Sequence, residues 1–107
     1  MPGPNTRGLI IVPTYNESEN IRTLLRAILE QDARLEVLVV DDNSPDKTGD
    51  IVAEISATNS RVHLLRRPGK MGLGTAYRDG FRWALARDYE LIFEMDADFS
   101  HSPSHLT

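Results

Sequence analysis

Asp96 and Asp98 flank a single alanine, Ala97, directly after the mainly apolar run Leu91-Ile92-Phe93-Glu94-Met95. In an extended backbone, alternate side chains share one face, so these two carboxylates project together. Two like charges so placed are costly unless a cation neutralises them. Mg²⁺ is bound in this way, through one or two carboxylates, substrate phosphates and water. Such an ion could bridge a diphosphate and stabilise charge on a leaving group. The competing role is two solvated aspartates in a turn. The preceding strand pattern, and a second acidic pair after another such run, favour a site.

That second pair is Asp41-Asp42, which closes the run Glu36 to Val40. A carboxylate there can accept hydrogen bonds from a base or from ribose hydroxyls, as in other nucleotide folds. The alternative is local: Asp42 as a cap or Asx-turn residue, with Asn43 and Ser44 completing the turn. Asp46 reads as a helix cap. In Pro13-Thr14-Tyr15-Asn16-Glu17, Tyr15 offers a ring to stack on a base and Glu17 a carboxylate to accept from it. Asn16 reads as turn and cap. The segment Arg66 to Gly74 is glycine-rich but lacks both the G-x-x-x-x-G-K-[ST] and the G-x-G-x-x-G spacing. Lys70 within it is a candidate phosphate contact, set against a solvated lysine in a flexible loop. His101 and His105 are four apart, but Pro103 between them argues against a metal pair on one helix. Trp83 and Phe81 fall in a helical pattern and read as packing residues.

The elements that must position these groups follow from periodicity. Leu9-Ile10-Ile11-Val12, closed by Pro13, reads as a buried strand. Asn16 with Glu19 forms a capping-box pattern ahead of the stripe Ile21, Leu24, Leu25, Ile28, Leu29. Residues 36–40 read as a second buried strand and Ile51, Val52 and Ile55 as a short helix. Val62-His63-Leu64-Leu65 reads as a strand near a sheet edge. Leu73, Ala76, Tyr77, Gly80, Phe81, Ala84 and Leu85 mark a third helix, and residues 91–95 a fourth strand. Alternating strands and helices predict an α/β fold with a parallel sheet covered on both faces. Such sheets bind ligands at the carboxyl ends of their strands, where strand order reverses. Tyr15 to Glu17, Asp41-Asp42 and Asp96 to Asp98 all follow strands.

Composition narrows the function classes. The chain has 107 residues, 40% of them hydrophobic, and a formal net charge of −4. That size suits one domain, and the acidic balance disfavours nucleic acid as a partner. There is no cysteine, which excludes disulfides and thiolate-ligated zinc. No stretch approaches the roughly 20 apolar residues of a spanning helix, and the polar start carries no secretory signal pattern. The segment reads as soluble or peripheral, and Pro103 to Thr107 reads as the opening of a further helix, so a fragment is expected.

The strings Ile11-Val12-Pro13-Thr14-Tyr15-Asn16-Glu17, Val39-Val40-Asp41-Asp42-Asn43-Ser44-Pro45-Asp46 and Asp96-Ala97-Asp98 resemble the GT-A family 2 glycosyltransferases. Residues 69–77 and 94–103 are similar to the narrower polyprenol (dolichol) phosphate mannose synthases. This resemblance implies a Rossmann-like three-layer sandwich with a mainly parallel sheet. Residues 1–107 would form the N-terminal, nucleotide-sugar-binding part of one catalytic domain. Pro13, Tyr15 and Glu17 would line the nucleotide pocket, and Asp41-Asp42 would hold the nucleoside, the main contact open between them. Asp96, Ala97 and Asp98 would meet the diphosphate, and Asp96 and Asp98 would hold Mg²⁺ or Mn²⁺ as the catalytic pair. Ser100 stands where some relatives carry a metal-coordinating glutamine. The implied reaction moves mannose from GDP-mannose to a polyprenol phosphate in a membrane, with inversion. The implied setting is cytoplasmic, peripheral to the membrane or anchored through parts absent from this chain. Rival readings are a family 2 enzyme with UDP-glucose or another donor, a receiver-type signalling domain, and a non-catalytic nucleotide-binding module.

Overall fold

A computed structural model describes residues 7–68 and 73–95 of the chain. Their order is β1 (Gly8–Thr14), α1 (Ile21–Gln31), β2 (Leu35–Asp41), α2 (Thr48–Thr58), β3 (Val62–Arg66), α3 (Leu73–Leu85) and β4 (Leu91–Glu94). The strands form one sheet in the order β3-β2-β1-β4, with every pairing parallel. The short strand β3 lies at the sheet edge, as its length and flanking arginines predict. Order reverses at β1: β2 and β3 are added on one side of it, and β4 on the other.

Alternation along the strands builds two apolar layers. Ile10, Val12, Val37, Val39 and Val62 pack under Ile21, Leu24, Leu25 and Ile28 of α1 and Val52 of α2. Leu9, Ile11, Leu38 and Val40 face the other way, onto Ala76 and Ala84 of α3. Small residues let α3 lie close to the sheet. A Cβ added at Gly80 would stand 2.7 Å from Ile11 Cγ2, so a larger residue there forces the helix away. This close line of contact also explains where the expected stripe fails. Ala76, Gly80 and Ala84 point inward, whereas Phe81 (41% exposed) and Leu85 (71% exposed) lie on the flank. Phe81 is therefore not a packing residue among the described contacts. Trp83 is one: its ring lies 5.0 Å from His63 and 6.1 Å from Tyr89, and the Arg87 guanidinium sits 3.6 Å above it.

Two local expectations are corrected. Strand β1 does not stop before Pro13 but runs to Thr14, with Pro13 in register with Val40. The Ile11 carbonyl accepts from Met95 N–H and the Thr14 carbonyl from Asp42 N–H. Pro13, two residues past Ile11, thus faces the β4 side at a level that β4 pairing does not reach, so its missing N–H removes no ladder bond. Asn16 does not cap α1, which begins at Ile21. Asn16 adopts a left-handed conformation (φ 58°), and the Glu17 carbonyl receives the N–H groups of Asn20 and Ile21. Among the described residues, no helix is long and apolar enough to cross a membrane.

At the amino end of the sheet, Glu36 gathers a polar cluster. Its carboxylate accepts from Arg7 Nε (2.9 Å) and the Tyr89 hydroxyl (2.8 Å), and lies 2.7 Å from His63 Nε2. Burial pushes the Glu36 carboxyl up, but the hydrogen bonds from Arg7, His63 and Tyr89, with the Arg7 charge, outweigh it and hold the group at about 2 against an ordinary 4.5. A carboxylate lowered on folding stabilises fully above its unfolded pKa and loses that contribution as pH falls through its folded one. Glu36 should therefore contribute on the order of 1–3 kcal/mol at neutral pH. Urea melts of the full-length protein and of Glu36→Gln should show that gap at pH 7 and its narrowing as the pH drops below 4.5 towards 2. A gap unchanged at low pH would contradict the assignment.

Candidate functional site

The opposite, carboxyl end of the sheet carries Asp41 and Asp42, one of the two acidic pairs singled out by the sequence. Register places Thr14, Asp41 and Arg66 side by side across β1, β2 and β3. Strand β4 ends lower, with Glu94 level with Ile11 and Met95 N–H donating to the Ile11 carbonyl. The step between long β1 and short β4 is the reversal point of the sheet, where α/β sheets leave a crevice for ligands. Met95 is the last described residue before the D-x-D in the sequence.

Asp41 and Asp42 are both buried, with exposures of 1% and 7%, and their surroundings differ. The Asp41 carboxylate accepts from the hydroxyls of Thr14 (2.7 Å) and Ser44 (2.6 Å) and from Ser44 N–H (3.1 Å). It thereby closes the turn after β2, the part that sequence reasoning gave to Asp42. Gly49 makes room for it: a Cβ there would lie 2.9 Å from Asp41 Oδ2 and 3.1 Å from Arg66 Nη1. The Asp42 carboxylate instead takes a two-pronged ion pair from Arg67, at 2.6 Å from Nε and 2.9 Å from Nη2. The Arg67 guanidinium also donates to Thr75 Oγ1 (3.0 Å) and Asp79 Oδ2 (3.1 Å) on α3. The hydrogen bond to Asp42, foremost, raises the Arg67 pKa further, so the guanidinium keeps its charge.

The loops after β1 and β2 are laced together. Asn16 N–H donates to Ser44 Oγ, Glu17 N–H to Thr48 Oγ1 and Ser18 N–H to the Asp46 carboxylate, each at 3.0 Å. Asp46 also accepts from Thr48 N–H (3.1 Å), the first residue of α2, but the N-cap position belongs to Lys47, which makes no side-chain cap bond, so the cap expected at Asp46 is displaced by one residue. Asn16, Asn43 and Lys47 all have positive φ, a conformation that asparagine tolerates better than most side chains. The lacing brings Pro13, Tyr15, Glu17, Asp41 and Asp42 to one end of the sheet, with Tyr15 on the surface at 38% exposure. Lys70, Asp96, Ala97, Asp98 and Ser100, and the histidines at 101 and 105, lie outside the described residues. Sequence reasoning missed Thr14, Thr48 and Arg67 as parts of this end, and gave Ser44 only a place in the turn. A doubled aspartate buried at a strand end needs a cation, and Arg66-Arg67 at the end of β3 supplies two. Which of them turns inward depends on strand parity, and hence on the exact end of β3.

Residues 9–107 match the family described as Glycosyl transferase family 2. The chain is 46% identical, over 97% of its length, to a polyprenol monophosphomannose synthase of Mycolicibacterium smegmatis. It is 49% identical over 94% of its length to an undecaprenyl-phosphate mannosyltransferase of Micrococcus luteus. It spans 40% and 41% of those two relatives. Among solved structures, it resembles a mannosyltransferase of Pyrobaculum calidifontis in complex with GDP-Man and Mn²⁺, with a TM-score of 0.73 and 33% identity. That match covers 92% of this chain and 30% of the other. S. aureus TarS in complex with UDP-GlcNAc gives the same TM-score at 29% identity, over 87% of this chain and 27% of the other. The α/β arrangement is thus that of the GT-A glycosyltransferases.

Proposed function

The chain belongs to glycosyl transferase family 2, and from that premise we propose that the whole protein transfers mannose from GDP-mannose to the phosphate of a polyprenol. The observation that carries this reading is the 46–49% identity, across nearly all of this chain, to two polyprenyl phosphate mannosyltransferases. A phosphate oxygen of the acceptor attacks the mannose anomeric carbon as the bond from that carbon to the diphosphate oxygen breaks. GDP leaves and the anomeric centre inverts. The nucleophile is already anionic, so the protein's task is alignment and stabilisation of the leaving group rather than removal of a proton.

Pro13, Tyr15, Glu17 and the Asp41-Asp42 end of β2 receive the nucleoside, with Asp42 held by Arg67. Lys70 meets a phosphate. Asp96 and Asp98, with Ser100 nearby, are hard oxygen donors suited to Mg²⁺ or Mn²⁺. When bound, that ion offsets the charge that develops on the departing diphosphate. The acceptor lipid places the work of the whole protein at a membrane surface, on its cytoplasmic side.

A second donor reading has one observation in its favour, the equal structural likeness to a UDP-GlcNAc complex. The full-length protein, supplied with polyprenyl phosphate in detergent and either GDP-mannose or UDP-glucose, separates the two. Metal-dependent transfer from GDP-mannose alone is the expected result. Transfer only from UDP-glucose would keep the family and change the donor.

A further inference from the structure

We infer that Arg67 is a positioning residue for donor binding, one that sets the Asp42 carboxylate for the nucleoside and ties it to α3. The inference rests on the proposed nucleotide reading and extends it to a residue outside the acidic motifs. Arg67 is among the most buried charged groups described, its side chain 4% exposed. Its N–H donates to the Asp41 carbonyl (2.8 Å), which fixes the backbone beside the acidic pair. Its Nε and Nη2 grip both Asp42 oxygens. A fork of this kind fixes the plane of the carboxylate and so the direction of its remaining lone pairs. Its Nη1 reaches Thr75 and Asp79, one turn apart on α3.

Helix α3 begins directly after residues 69–72, the stretch containing Lys70. One guanidinium therefore joins the acid expected at the nucleoside to the helix that follows Lys70, the expected phosphate contact, in the sequence. Neither Thr75 nor Asp79 needs to touch the ligand to influence it. Lysine keeps the charge but not the planar fork, so Arg67→Lys separates orientation from charge balance. Asp79→Asn leaves the Asp42 fork in place and weakens only its support.

The test is calorimetric titration of the full-length protein, with Mn²⁺ present, by GDP, UDP and inorganic pyrophosphate. Arg67→Lys is expected to raise the Kd of the nucleoside diphosphate that the wild type prefers by about 10- to 100-fold, and to leave pyrophosphate binding unchanged. Asp79→Asn is expected to shift the same Kd in the same direction by less, and it carries the test if Arg67→Lys does not fold. A purely structural role would weaken both ligands alike, and that result would overturn the inference, as would wild-type nucleotide affinity in both variants. A wild type that binds pyrophosphate but prefers no nucleoside diphosphate would overturn the nucleotide reading and this inference with it.

Discussion

Asp98→Ala in the full-length enzyme is expected to lower mannosyl transfer by about 10³-fold or more and to leave the fold intact. The reasoning joins chemistry to topology. Two carboxylates one residue apart form a hard-cation donor pair, and they follow β4 in the sequence. The rate in the proposed reaction depends on charge that appears on the diphosphate as the sugar leaves, so an ion lost there removes stabilisation specific to the transition state. Asp98 contributes no apolar side chain to a core, and melting temperature should hardly move. Transfer assayed across a Mn²⁺ series checks the point. Full activity in Asp98→Ala, or a loss of activity matched by unfolding, would remove the metal role assigned to this residue.

The second large effect is on stability. Asp42→Ala takes from the buried Arg67 guanidinium the carboxylate that pairs with its Nε and Nη2, and breaking one side of a buried pair typically costs about 3–5 kcal/mol. Asp41→Ala removes hydrogen bonds from Thr14 and Ser44 without stranding a charge, and should cost about 1–3 kcal/mol. Urea melts of the three proteins give the order wild type, Asp41→Ala, Asp42→Ala. Combining Asp42→Ala with Arg67→Met should recover part of the loss, because the two residues are coupled. An Asp42→Ala protein as stable as the wild type would show that the ion pair contributes nothing to the fold. The point bears on function as well: loss of activity in Asp42→Ala speaks for a nucleoside contact only once its stability cost is subtracted.

The architecture was legible because the signals are redundant. Ile21, Leu24, Leu25 and Ile28 could only be one face of a helix, and all four are buried. The runs at 9–12 and 37–40 lack polar residues because both faces of the sheet are covered. Legibility failed where one residue type serves two ends. Asn16 looked like a cap and is instead a left-handed turn residue held by Ser44. Phe81 looked like core because its spacing fits α3, but Gly80 brings the helix so near Ile11 that the contact line passes to one side of it. Of the site, the positions of Tyr15, Glu17, Asp41 and Asp42 at strand ends were readable. The division of labour within the acidic pair was not. It arises from Thr14, Ser44 and Arg67, which are 27, 3 and 25 residues distant in sequence from the aspartates they meet.

The most direct test of the central claim is calorimetric titration of the full-length protein with GDP, GDP-mannose, UDP and UDP-glucose, each with and without Mn²⁺. The account predicts metal-dependent binding that prefers the two guanosine ligands. Preference for the uridine ligands, or binding indifferent to both base and metal, would contradict it.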